Sequence, residues 1–109
     1  MVKILAIIPA RSGSKRIKHK NIRYFKGKPL LAHSILHSIK SKFVQRTIVS
    51  TDSVKYAKIA IKYGAEVPFL RPKNISKDKS TDLQCFSHCL NFLKKKENYT
   101  PDLIVHLRP

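Results

Sequence analysis

Acidic residues are scarce in this chain. Six Asp or Glu stand against 23 Lys or Arg, and the formal net charge is +17. Such a balance calls for an anionic partner: a nucleotide, nucleic acid or acidic lipid headgroups. The lysines are scattered along the whole chain rather than gathered in one stripe, which argues against nucleic acid. Long apolar runs are also missing. None approaches the roughly 20 residues of a membrane span, and Met1-Val2-Lys3-Ile4 opens no signal-peptide pattern, so the expected location is cytoplasmic and off the membrane. Cysteine is limited to Cys85 and Cys89. Four residues apart, they sit one helical turn from each other, a spacing that disfavours a disulfide, and no second ligand pair completes a zinc pattern. They are expected to be small buried apolar side chains. The Walker A and GxGxxG phosphate-loop patterns are absent as well, which leaves a dinucleotide reading with little support. With 109 residues, and with no internal repeat, low-complexity segment or linker, the chain holds one domain at most.

What is present alternates between strand and helix. Residues 3–9, with the apolar run Ile4-Leu5-Ala6-Ile7-Ile8, read as a buried parallel strand ended by Pro9. A turn is expected at Lys26-Gly27-Lys28-Pro29. Pro29 then opens a helix to about Ser41, with Leu30, Leu31, Ile35, Leu36 and Ile39 at helical spacing. His33 and His37 lie one turn apart on it; without a third ligand they are expected to be partly exposed helix histidines. Residues 46–50 form a second strand and 54–63 a helix whose C-terminus Gly64 caps. Glu66-Val67-Pro68-Phe69-Leu70 is a third extended segment, and Pro68 marks it as an edge strand or as the strand's end. A polar loop, 71–80, leads to a helix from Thr81 to about Glu97 with Leu83, Phe86, Leu90 and Leu93 on its core face, and residues 102–107 form a last strand, expected to be central. This βαβαβαβ order predicts an α/β fold with a mainly parallel sheet and flanking helices.

Chemistry gathers at the strand ends. After the first strand, Pro9 to Asn21 places five Lys or Arg around Ser12-Gly13-Ser14. Cations, small hydroxyls, free backbone N–H groups and a glycine that lets the backbone approach suit a polyphosphate. Nucleotidyl transfer needs charge neutralised on the departing pyrophosphate by cations together with Mg²⁺. The loop offers cations and no carboxylate, so metal ligands must come from elsewhere. Asp52, just past the second strand, has two readings: it caps a helix or braces a loop, or it touches ligand directly.

The run Ile7-Ile8-Pro9-Ala10-Arg11-Ser12-Gly13-Ser14-Lys15-Arg16-Ile17 with Lys20-Asn21 closely resembles the signature of the N-acylneuraminate cytidylyltransferases, the CMP-sialic acid synthetases. The resemblance continues in register through Val49-Ser50-Thr51-Asp52, Gly64 to Pro72, Ser76-Lys77-Asp78 and His106-Leu107-Arg108-Pro109. Relatives acting on legionaminic or pseudaminic acid share these motifs. It implies a Rossmann-like nucleotide-diphospho-sugar transferase fold, of which residues 1–109 are the N-terminal part of a single domain. It also implies a reaction: the anomeric hydroxyl of a sialic-type (nonulosonic) 2-keto sugar acid attacks the α-phosphate of CTP, giving the CMP-sugar and pyrophosphate, with Mg²⁺.

By the same resemblance Arg11 and Lys15 neutralise the triphosphate, Lys20 supports it, and Ser12, Gly13, Ser14 and Asn21 complete the nucleotide loop, Asn21 bonding substrate hydroxyls or phosphate. Arg71 and Ser80 match positions at the cytosine end. Asp82 beside them either accepts from the cytosine amino group or is a simple helix-start carboxylate. Arg108 stands where a guanidinium suits the sugar acid's carboxylate. Lys18 replaces a proline common in the family. The metal ligands, much of the sugar pocket and the dimerisation element of the homodimeric family fall in a C-terminal half that this chain lacks. The chain alone is therefore expected to be inactive, the alternative being a non-catalytic nucleotide- or polyanion-binding fragment.

Overall fold

A computed structural model describes residues 2–12, 20–76 and 81–109. Its centre is β1 (Ile4–Pro9), in which Leu5, Ala6, Ile7 and Ile8 have no exposed surface. A run without polar alternation must be covered on both faces, and it is. One face, through Ile8 and Val49, packs on Leu31, Ile35, Tyr56 and Ala60. These come from α1 (Leu30–Lys40) and α2 (Val54–Lys62). The other face, through Leu5, Ile7 and Ile48, packs on Cys85, Cys89 and Leu93 of α3 (Asp82–Glu97).

The sheet order is β4–β1–β5, with β4 at Arg46–Ser50 and β5 at Leu103–His106, and β1 is parallel to both neighbours. The chain builds outward from β1 to β4, then returns past α3 to lay β5 on the opposite side of β1. The strand order thus reverses between β1 and β5, and at such a switch point the carboxyl ends of parallel strands leave a crevice.

The strands and helices stand where the sequence puts them, with local corrections. The turn expected at residues 26–29 is a hairpin of β2 (Tyr24–Phe25) and β3 (Lys28–Pro29), its two-residue loop using positive φ at Lys26 (50°) and Gly27 (82°). Residues 66–70 are not a strand. Glu66 makes one parallel bridge to Ile48, with Val49 N–H donating to Glu66 O at 3.0 Å, and pairing goes no further; Pro68, lacking an N–H, cannot extend it. The last strand is not central among the described strands: β5 has one neighbour, and Leu103 and Ile104 are 56% and 39% exposed.

Leu83 and Ile39 are exposed rather than in the core. On α3 the buried line is Cys85-Cys89-Leu93 at i, i+4, i+8, roughly a third of a turn away from Leu83. Burial pushes the Cys89 thiol up to about 12, so it stays an inert, protonated core side chain. His33 is partly exposed and His37 exposed, so both stand at the surface of α1.

Candidate active site

The crevice at the switch point is a cleft of about 230 Å³ lined by Pro9, Arg11, Lys20, Asn21, Arg71, Thr81, Asp82, His106, Arg108 and Pro109. Six of the residues singled out in the sequence are among them: Arg11, Lys20, Asn21, Arg71, Asp82 and Arg108. They come from stretches far apart in the chain, and the fold alone brings them together. Gly13, Ser14, Lys15 and Ser80 lie outside the described residues.

The geometry is anchored on the end of β4. Ser50 O accepts from Ala10 N–H (2.8 Å) and from Arg71 Nη2 (2.8 Å), and Ser50 Oγ accepts from Arg71 Nε (3.1 Å). Thr51 O accepts from Arg71 N–H at 2.7 Å. Asp52 bonds Ser12 twice, taking its N–H on Oδ1 (2.8 Å) and its hydroxyl on Oδ2 (3.0 Å). Of the two roles open to Asp52, the structure shows the brace. The capping role belongs to Ser53, whose hydroxyl accepts from Tyr56 N–H at 3.2 Å.

Arg71 is 5% exposed, so two of its donor groups are fixed before any ligand arrives. His88 lies near it and is held below the usual histidine range by burial and by the Arg71 charge. Asn21, buried in the turn Lys20–Ile22, donates from Nδ2 to Arg11 O at 3.1 Å and so fixes the backbone at Arg11 from the far end of the basic loop.

Opposite these cations stands a smaller group. Asp82 Oδ2 accepts from Arg108 Nη2 and lies 3.8 Å from His106 Nε2, whose ring packs edge-on to Phe86. Asp82 opens α3, behind a capping box of Thr81 and Gln84. In this arrangement Asp82 is partnered by Arg108 instead of standing open in the cleft.

The scarcity of acid has a structural consequence. All five described carboxylates are engaged: Asp52 with Ser12, Asp82 with Arg108, Asp102 with Lys3 N–H, and Glu66 and Glu97 both with Arg46. Among the described residues no three His, Cys, Asp or Glu stand together as a metal site. The cleft lining sets Arg11, Lys20, Arg71 and Arg108 against one carboxylate, Asp82, a balance suited to binding and neutralising a polyanion.

Sequence reasoning overlooked Ser50 and His106. A serine ending a β-branched strand carries no signal of its own. His106 appears in the sequence only within the last strand and the motif that ends in Arg108-Pro109, with no role of its own until that strand is known to border the cleft.

A family model described as Cytidylyltransferase matches residues 5–105. A CMP-N,N'-diacetyllegionaminic acid synthase of Legionella pneumophila is 48% identical over 79 residues, covering 72% of this chain and 34% of that protein. An N-acylneuraminate cytidylyltransferase of Escherichia coli is 41% identical over 97 residues, covering 89% of this chain and 23% of that protein. The chain therefore spans about a third or less of the length of these two curated relatives. Among solved structures, a CMP:2-keto-3-deoxy-manno-octonic acid synthetase complexed with CTP superposes with a TM-score of 0.75 at 22% identity, over 97% of this chain and 39% of that one, and shares its fold. Its sequence match, its doubly covered parallel sheet and its cation-lined switch point together make this chain a member of the cytidylyltransferase family.

Proposed function

We propose that this chain carries the nucleotide-binding part of an enzyme that transfers CMP from CTP to a sialic-type nonulosonic acid and releases pyrophosphate. The observation that supports it most is the convergence of Arg11, Lys20, Asn21 and Arg71 on one cleft at the carboxyl ends of β1 and β5. In this reading Arg11, Lys15 and Lys20 neutralise the triphosphate, aided by Ser12, Gly13 and Ser14. Arg71 and Ser80 bound the base, and Arg108 takes the sugar acid's carboxylate. The acceptor's anomeric hydroxyl bonds through its oxygen to the α-phosphorus and gives up its proton to water, the α–β phosphoanhydride breaks, and pyrophosphate leaves with the bonding pair. The cations stabilise that developing charge.

The family resemblance calls for Mg²⁺, and the described residues do not fit it: their carboxylates are already engaged with Ser12, Arg108, Arg46 and Lys3. Mg²⁺ bound through one or two carboxylates and substrate phosphates would need them from outside the described residues. We therefore take residues 1–109 as the N-terminal part of one longer cytidylyltransferase domain, inactive by itself, with the family's dimerisation element also outside it. The relatives' greater length and the open edge of β5 support this. A cytoplasmic location is part of this proposal. No described helix is long and apolar enough to cross a membrane.

The engaged carboxylates also favour a second reading, a non-catalytic nucleotide- or polyanion-binding fragment. A pyrophosphate-release assay with CTP, Mg²⁺ and a nonulosonic acid separates the two. It is run on the 109-residue chain and on a folded fusion of it to the remainder of the Legionella relative beyond the matched stretch. Release from the fusion alone is expected. A fusion that binds CTP and turns over no nonulosonic acid contradicts the enzyme reading.

A further inference from the structure

We propose that Asp52 is a positioning residue for nucleotide binding, one that acts through Ser12 and never touches the ligand. The inference rests on the CTP reading of the cleft. Asp52 reaches across 40 residues of sequence to hold both polar groups of Ser12, at 2.8 and 3.0 Å, at the point where the backbone leaves β1 for the basic loop. The two residues before it hold the other arm of the cleft, Ser50 and Thr51 taking three hydrogen bonds from Arg71. One tripeptide at the end of β4 thus fixes both the start of the basic loop and Arg71. Loosening Asp52 releases the loop and leaves Arg71 in place.

The carboxylate's negative charge is not what the site needs, because it faces a loop whose ligand is itself anionic. What the site needs is two bonds to Ser12. Asn at position 52 can supply both: its carbonyl oxygen accepts from Ser12 N–H, and its amide N–H donates to the Ser12 hydroxyl. Ala supplies neither. A residue that touched the triphosphate through a metal would behave otherwise, since Asn is a poor replacement for a metal-binding carboxylate. The conservative variant therefore tells a brace from a ligand.

The test is calorimetric titration of the 109-residue chain with CTP, comparing the native protein with D52A, D52N, S12A and S12A/D52A, each checked for its fold by circular dichroism. D52A is expected to weaken CTP about tenfold, the scale of losing hydrogen bonds to a charged group. D52N should stay within about threefold of native, and S12A should lose about threefold or less. S12A/D52A should be no weaker than D52A, because the two residues act as one unit. Should D52A fail to fold, D52N and S12A still decide. Native-like binding by D52A overturns the proposal, as does D52N binding as poorly as D52A. Additive losses in the double variant also overturn it. Failure of the native chain to bind CTP overturns the CTP reading as well.

Discussion

Arg71 and His88 show how closely site and stability are joined at single residues. Arg71 is buried and holds the end of β4 through Ser50. Truncation in R71A removes both bonds from a dry setting and should cost about 2 kcal/mol by urea unfolding, with CTP affinity lost as well. His88 Nδ1 is buried and has no partner among the described residues. Because the folded-state pKa of His88 lies below its ordinary 6.5, the unfolded chain binds the proton more readily. The stabilisation is therefore complete above about pH 6.5 and is lost as pH falls through the folded-state value. Urea midpoints should drop between neutral and mildly acidic pH, and H88Q should flatten that part of the profile.

At this scale the sequence showed residue types well and partners poorly. Arg71 and Asp82 were legible as site residues by resemblance, but their partners Ser50 and Arg108 lie 21 and 26 positions away. Such a distance is closed only by the sheet.

Elements were more legible, because their signals are periodic and local. The apolar run of β1 and the β-branched run of β4 needed no tertiary information. The capping box at Thr81 and Gln84 begins α3 within a residue of its expected start. The misses have local causes too: one proline limits residues 66–70 to a single bridge, and the buried line of α3 runs through two cysteines and Leu93 rather than Leu83.

Gly64 illustrates a position where element geometry sets the residue. It has φ +104°, and a Cβ there would lie 2.8 Å from Ile39 Cδ1. G64A should destabilise by about 1–2 kcal/mol. G64A/I39V, which clears the contact, should recover only a minor share, because the backbone conformation carries the cost. Chemical denaturation of the two variants checks this. The bridge of Arg46 to Glu66 (2.6 Å) and Glu97 (3.0 Å), with the guanidinium over the Tyr99 ring, ties β4 to the end of α3. Both carboxylates are more than a third exposed, so E97Q should cost no more than about 0.5 kcal/mol, and less at high salt.

For the whole molecule, the alternation of strand and helix already announced a parallel sheet covered on both faces. It did not say where the strand order reverses. That depends on β5 crossing to the far side of β1, and the cleft depends on the reversal. The charge of +17 follows the same logic. With few acids, nearly every carboxylate is committed to holding the fold, and the cations are left to set the field at the cleft. That field should attract any polyanion at low salt. On the proposed reading, selectivity comes from Arg71 and its surroundings, which do not depend on net charge.

The most direct measurement is therefore calorimetry of the 109-residue chain with CTP, ATP and inorganic pyrophosphate at physiological salt. The cleft described here predicts that CTP binds more tightly than either competitor, and that R71A brings CTP down to the level of pyrophosphate. Equal affinity for all three, unchanged by R71A, would contradict a cytidine nucleotide site and leave only a generic anion-binding surface.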